Sequence, residues 1–197
     1  MYFLLRFLFY LPIKLLWRVK INNQNNIPDG NFILAANHNS YLDFIILFIL
    51  FPRRISFLAA EKFFSSKIWK PIMEMTGQIK VDRNSHNKND VYVKVGDVLR
   101  SGGVLGIFPE GTRSRNGCIG KAYSGVAKFA HEYNIPVLPI GIEGTFLAWP
   151  PENRFPKFKK CKINIGKVFF VRSQDFNKET IKIMKTISGL CGQTYDY

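Results

Sequence analysis

Five short apolar runs, each closed by a polar or turn-forming stretch, limit what this chain can become. They are "FILAA" (32–36), "RISFLAA" (54–60), "QIKV" (78–81), "VLGIF" (104–108) and "VLPIGI" (137–142). "QIKV" reads only as a short strand; the other, continuous apolar runs mark strands buried on both faces, because a sheet with one wet face would alternate. Helical patterns lie between them. A helix is expected from about Ser40 to Phe51, ended by Pro52, and another over "SSKIWKPIMEMTG" with a break at Pro71. "VYVKVGDVLRSGG", "VAKFAHEYN" and "NKETIKIMKTISGL" continue the series, and "CKINIGKVFFV" adds a strand of alternating character. The stretch 144–160 reads as irregular, with Pro150, Pro151 and Pro156. The expected fold is therefore α/β: a mixed, largely parallel central sheet flanked by helices on both faces. In such sheets, sites form at loops beyond the strand ends.

At 197 residues, of which 47% are hydrophobic, the chain forms one domain with a sizeable core rather than a disordered segment. The formal net charge of +14 calls for anionic partners: lipid headgroups, nucleic acid or phosphorylated small molecules. The first residues, "MYFLLRFLFYLPIKLLWRVK", lack the basic start and cleavage site of a signal peptide. A helix to Trp17 would cover roughly 25 Å, short of the roughly 30 Å hydrocarbon core. Arg6, Pro12 and Lys14 interrupt it. Large apolar side chains with only basic charge fit a helix lying in the membrane interface, with its cations toward anionic lipid. Residues 1–21 are thus read as an amphipathic, membrane-associated segment. "NNQNNIPDGN" links it to the domain at 22–197. Cys118, Cys161 and Cys191 form no CxxC pair and no metal-ligand spacing, so no metal is expected.

Three loops beyond strand ends carry candidate chemistry. "NHNSYLD" follows "FILAA"; Ser40 and Asp43 form a capping pattern, and Asp43 lies within reach of His38 if the loop bends over the helix start. A carboxylate on one imidazole nitrogen would fix the tautomer and leave the other nitrogen as a base. Asp82 and Arg83 follow "QIKV". "PEGTRS" follows "VLGIF" and holds Glu110, Gly111, Thr112 and Arg113. Arg83 and Arg113 on neighbouring loop ends suit a phosphate clamp, since guanidinium offers a planar fork of donors. Gly111 allows close backbone approach to a ligand.

These blocks, "NHNSYLD", "GQIKVDR", "FPEGTRS" and "VLPIGI", resemble in order and spacing the four sequence blocks of the glycerophosphate acyltransferases, above all the PlsC-type 1-acyl-glycerol-3-phosphate (lysophosphatidic acid) acyltransferases. The resemblance covers about Phe32 to Gly141. It implies an enzyme, membrane-associated on the cytoplasmic face, that moves a fatty acyl group from an acyl thioester to the hydroxyl of lysophosphatidic acid. It gives His38 the role of general base and Asp43 that of orienter. Arg83, and Glu110, Gly111, Thr112 and Arg113, are assigned to acceptor binding, and Val137–Ile140 to lining the site. Where many members carry Lys two residues before the glycine matching Gly125, Tyr123 stands here. No cofactor is implied; acyl-CoA or acyl carrier protein supplies the thioester, and membrane lipid the acceptor. Another lysophospholipid acceptor keeps the same chemistry. A non-catalytic basic module for membrane or nucleic acid is the competing class, but nucleic acid is disfavoured because the basic residues are not interleaved with stacking aromatics.

Overall fold

Among the described residues four of the five runs lie inside a single sheet, and "QIKV" forms one edge of it. A computed structural model describes residues 2–82 and 89–197. In chain order its elements are α1 (Tyr2–Leu16), β1 (Lys20–Asn22), β2 (Phe32–Ala36), α2 (Tyr41–Leu50) and β3 (Ile55–Ala60). Then come α3 (Glu61–Phe64), α4 (Trp69–Met75), β4 (Ile79–Val81), α5 (Asn89–Arg100) and β5 (Val104–Ile107). The chain continues through α6 (Gly125–Glu132), β6 (Val137–Glu143), α7 (Thr145–Ala148), β7 (Lys162–Ile165) and α8 (Phe176–Leu190). Among the described residues the sheet has seven strands in the order β1-β7-β6-β2-β5-β3-β4. Every neighbouring pair is parallel except β6–β7. This is the mixed, mostly parallel sheet that the sequence predicts.

β2 is the central strand, and its register explains the unbroken run. Phe32, Leu34 and Ala36 pack into a core shared with α1 and α2. Ile33 and Ala35 face the other core, built with α5, α6 and α8. All five are fully buried. Each large apolar side chain so buried contributes about 1.5–3 kcal/mol, so neither face tolerates a polar residue.

α1 is tied to the domain rather than set apart from it. The Tyr2 hydroxyl donates to the Arg53 carbonyl at 3.1 Å. Arg6 Nε donates to the Ile49 carbonyl at 3.1 Å and its Nη1 to Pro52 O at 3.2 Å. Arg6 thereby satisfies carbonyls at the C-terminal end of α2, where a cation is favoured. The charge that interrupts the apolar N-terminal segment is thus used by the fold. The outward face of α1 stays apolar: Phe3, Phe7, Leu11 and Leu15 are all exposed, Phe7 to 83%. Among the described residues no helix is long and apolar enough to cross a membrane.

Several details depart from the sequence reading. Pro71 does not break a helix; it lies in the first turn of α4, where its missing N–H would have no helical partner anyway. β1, at the entrance to the polar linker, is a three-residue edge strand held by pairing with β7, and nothing in so short a run marks it as one. The irregular stretch after β6 begins with one turn of helix, α7.

Candidate active site

His38 sits two residues beyond the end of β2, and α2 starts three residues later. The turn between them is organised by one carboxylate. Asp43 Oδ2 accepts from the Asn39 amide at 2.6 Å and the Ser40 amide at 2.7 Å, and lies 3.0 Å from His38 Nδ1. The Ser40 hydroxyl caps the helix by accepting from the Leu42 amide at 3.0 Å. Capping and imidazole orientation are therefore done by the same side chain. Asp43 is fully buried, while the His38 side chain keeps 16% exposure. With Nδ1 taken by the carboxylate, Nε2 is the nitrogen left to face a substrate.

The loop after β5 clasps the histidine from both sides. Glu110 Oε1 accepts from the His38 amide at 2.8 Å, and the Ser114 amide donates to the His38 carbonyl at 2.8 Å. Glu110 Oε2 accepts from the Gly120 amide at 2.8 Å. With 4% of its surface exposed, Glu110 turns its carboxylate to backbone rather than to an acceptor. Its geometry is that of a positioning residue joining three segments of chain. Gly111 makes the turn possible at φ +67°, a conformation costly for L side chains, and a Cβ there would also press on the Tyr123 ring at 3.1 Å. Thr112 is exposed on the same turn.

Two aromatic residues not singled out from the sequence complete the site. The Phe108 ring stacks on the His38 ring at 4.0 Å between centroids, 14° from parallel, and rests in turn on Phe57. Phe108 reads in sequence as the last residue of a core strand. Tyr41, in the first turn of α2, carries the Arg113 guanidinium over its ring, 3.6 Å from the centroid. Arg113 Nη1 is buried with no hydrogen-bond partner among the described residues, as is Asp43 Oδ1. An unsatisfied buried donor on a guanidinium is costly unless a ligand supplies the acceptor. Arg83 lies outside the described residues, so its place beside Arg113 stays an expectation. Asn37 fastens the turn to β6: its Nδ2 donates to the Ile142 carbonyl at 2.9 Å and its Oδ1 accepts from the Ile142 amide at 2.7 Å.

Burial raises the Glu110 carboxyl from its ordinary value to about 7, with the charge of Asp43 adding to the rise and the amides of Gly120 and His38 opposing it. The folded protein holds this proton more tightly than the unfolded chain, so its stabilising contribution is complete below about pH 4.5 and is lost as pH rises to about 7. The span corresponds to roughly 3 kcal/mol. Glu110→Gln should flatten the fall in melting temperature between those limits relative to wild type, measured by calorimetry across the range. Parallel curves for the two proteins would contradict this.

Neither buried cysteine is an activated nucleophile. Burial pushes the Cys161 thiol up to about 12 and the Cys191 thiol up to about 11, and Cys118 is exposed on the surface.

A carboxylate-steered imidazole, beside a guanidinium whose Nη1 has no hydrogen-bond partner among the described residues, can take a proton from a hydroxyl compound held by an anionic group. The acyltransferase family model matches residues 18–143. A 1-acyl-sn-glycerol-3-phosphate acyltransferase of Bacillus subtilis (strain 168) is 27% identical over 149 residues, covering 75% of this chain and 70% of that protein. A Mycoplasma pneumoniae protein described as a probable 1-acyl-sn-glycerol-3-phosphate acyltransferase is 29% identical over 146 residues, and the match spans 71% of this chain but 54% of that protein. The crystal structure of the 1-acyl-sn-glycerophosphate acyltransferase PlsC from Thermotoga maritima superposes with a TM-score of 0.73 at 23% identity, over 86% of this chain and 68% of that one, which establishes the shared fold. The chain belongs to the acyltransferase family.

Proposed function

We propose that this protein transfers a fatty acyl group from an acyl thioester to the free hydroxyl of lysophosphatidic acid, giving phosphatidic acid for phospholipid synthesis. The observation that carries the reading is the 3.0 Å contact between His38 Nδ1 and Asp43 Oδ2, made at the mouth of the sheet. In the reaction, Nε2 of His38 takes the hydroxyl proton as the oxygen attacks the thioester carbonyl. The tetrahedral intermediate collapses, the C–S bond breaks, and the proton passes to the leaving thiolate. Asp43 holds the tautomer and stabilises the imidazolium that forms. Burial leaves neither Cys161 nor Cys191 poised to form an acyl-cysteine, which supports direct transfer in a ternary complex.

The acceptor phosphate is assigned to Arg113, with Arg83 as its partner. The buried, unpartnered Nη1 on Arg113 supports that role. The thioester is acyl-CoA or acyl carrier protein. Membrane association at the cytoplasmic face, with α1 lying in the interface, fits both the lipid acceptor and the exposed apolar face of that helix.

Loss of a charge-assisted pair costs about 1.5–3 kcal/mol, so Arg113→Ala should raise KM for lysophosphatidic acid roughly 10- to 100-fold with a smaller effect on kcat. Steady-state kinetics with varied acceptor test this. An unchanged KM would remove Arg113 from the phosphate site.

A further inference from the structure

We propose that the segment from Leu147 to Lys160 is a second membrane-contacting surface, one that selects anionic bilayers and is built onto the catalytic turn. The proposal rests on the membrane part of the reading above and extends it to a surface outside α1.

The composition is unusual for a loop. Arg154, Lys157, Lys159 and Lys160 are all exposed, against the single acid Glu152. Among the described residues none of these four cations is in an ion pair. Contrary to the sequence reading, exposed apolar side chains do interleave with the cations here: Leu147, Phe155 and Phe158 are bare to 68%, 70% and 63%. Cations alone would suit any phosphate ligand. Uncovered aromatic rings alternating with cations suit a bilayer, where rings enter the headgroup boundary and ammonium groups meet lipid phosphates.

The segment is irregular but held. Trp17 Nε1 donates to the Lys157 carbonyl at 3.1 Å, and the Cys161 amide donates to the Trp17 carbonyl at 3.0 Å. The Lys157 amide donates to the Ala148 carbonyl at 2.6 Å, and Trp149 Nε1 to Asn153 O at 2.9 Å. The Trp17 and Phe158 rings meet edge to face at 5.5 Å, so the patch continues from the end of α1, which itself exposes Leu11 and Leu15. At its other end it touches the site. The Ser40 hydroxyl donates to the Trp149 carbonyl at 2.6 Å, and the Trp149 ring lies 5.9 Å from that of Tyr41, the platform of Arg113. Docking this segment on a charged bilayer would bring the catalytic turn to the headgroup level, where a lysolipid phosphate resides.

The test uses the full chain and vesicles of phosphatidylcholine alone or with a one-third share of phosphatidylglycerol, with co-sedimentation as the readout. Each cation near an anionic surface is worth about a fivefold change in binding. Wild type should bind the mixed vesicles more tightly than the neutral ones. K157Q/K159Q/K160Q should lose at least about tenfold toward mixed vesicles while keeping its affinity for neutral ones. F155S/F158S should weaken binding to both. Circular dichroism confirms that each variant is folded, and turnover of a water-soluble short-chain substrate pair should be unchanged in the lysine variant. Wild type that binds neither vesicle would overturn the membrane reading as a whole. Wild type that binds both equally, or a lysine variant that keeps the preference, would overturn only this surface. A lysine variant with unchanged vesicle binding and a raised KM for acyl-CoA in detergent micelles would reassign the cations to the donor's phosphates.

Discussion

His38→Ala is expected to lower kcat by at least about 10², and by as much as about 10⁴, with little change in KM for the acceptor. That loss corresponds to roughly 3–5 kcal/mol of transition-state stabilisation. The variant should fold, because the structure uses the backbone of this residue, not its ring, to join the loops. Its amide is held by Glu110 and its carbonyl by the Ser114 amide. What the ring itself contributes to stability is its stack on Phe108 and one hydrogen bond to Asp43. Removing these should cost about 1–2 kcal/mol, a change visible in melting temperature but not enough to unfold the domain. A folded His38→Ala protein with turnover near that of wild type would dispose of the base assignment.

Asp43→Asn is the second large effect, and it separates two jobs done by one side chain. An asparagine oxygen can still accept from the Asn39 and Ser40 amides, so the capped turn should survive. The same oxygen still meets Nδ1, because all three contacts converge on Oδ2, but it is a neutral acceptor and no longer stabilises the imidazolium that forms as His38 takes the proton. Turnover should fall by roughly 10- to 100-fold while stability falls by only about 1–3 kcal/mol. Asp43→Ala should lose both, since it strands the Asn39 and Ser40 amides and the His38 ring at a fully buried position. Parallel kcat and melting measurements on the two variants give the comparison. Asp43→Asn within threefold of wild-type kcat would leave Asp43 a helix cap and nothing more.

Much of this was legible in the residues, for identifiable reasons. The strands could be read because β2 and β5 are buried on both faces, which forces continuous apolar runs. The His38–Asp43 pair could be read because the cap pattern fixes where Asp43 sits relative to the turn before it. Glu110 could not, because an acid in a charged, glycine-rich loop looks like a group facing ligand. Only the fold shows that its two oxygens are taken up by the His38 and Gly120 amides. Phe108 and Tyr41 were hidden for a related reason: an aromatic at a strand end or helix start is ordinarily core, and the ring or guanidinium it carries comes from a distant segment. β1 escaped because three residues carry no period; its pairing with β7, some 140 positions away in sequence, decides it.

If His38 activates a lysolipid hydroxyl for direct attack on the thioester, release of free thiol from acyl-CoA by the purified wild-type protein depends on lysophosphatidic acid, and following that thiol with and without the acceptor measures the dependence. Thiol should appear only when the acceptor is present, in step with phosphatidic acid and without an initial burst. Thiol released at the same rate without acceptor, or a burst equal to the enzyme concentration, would contradict it.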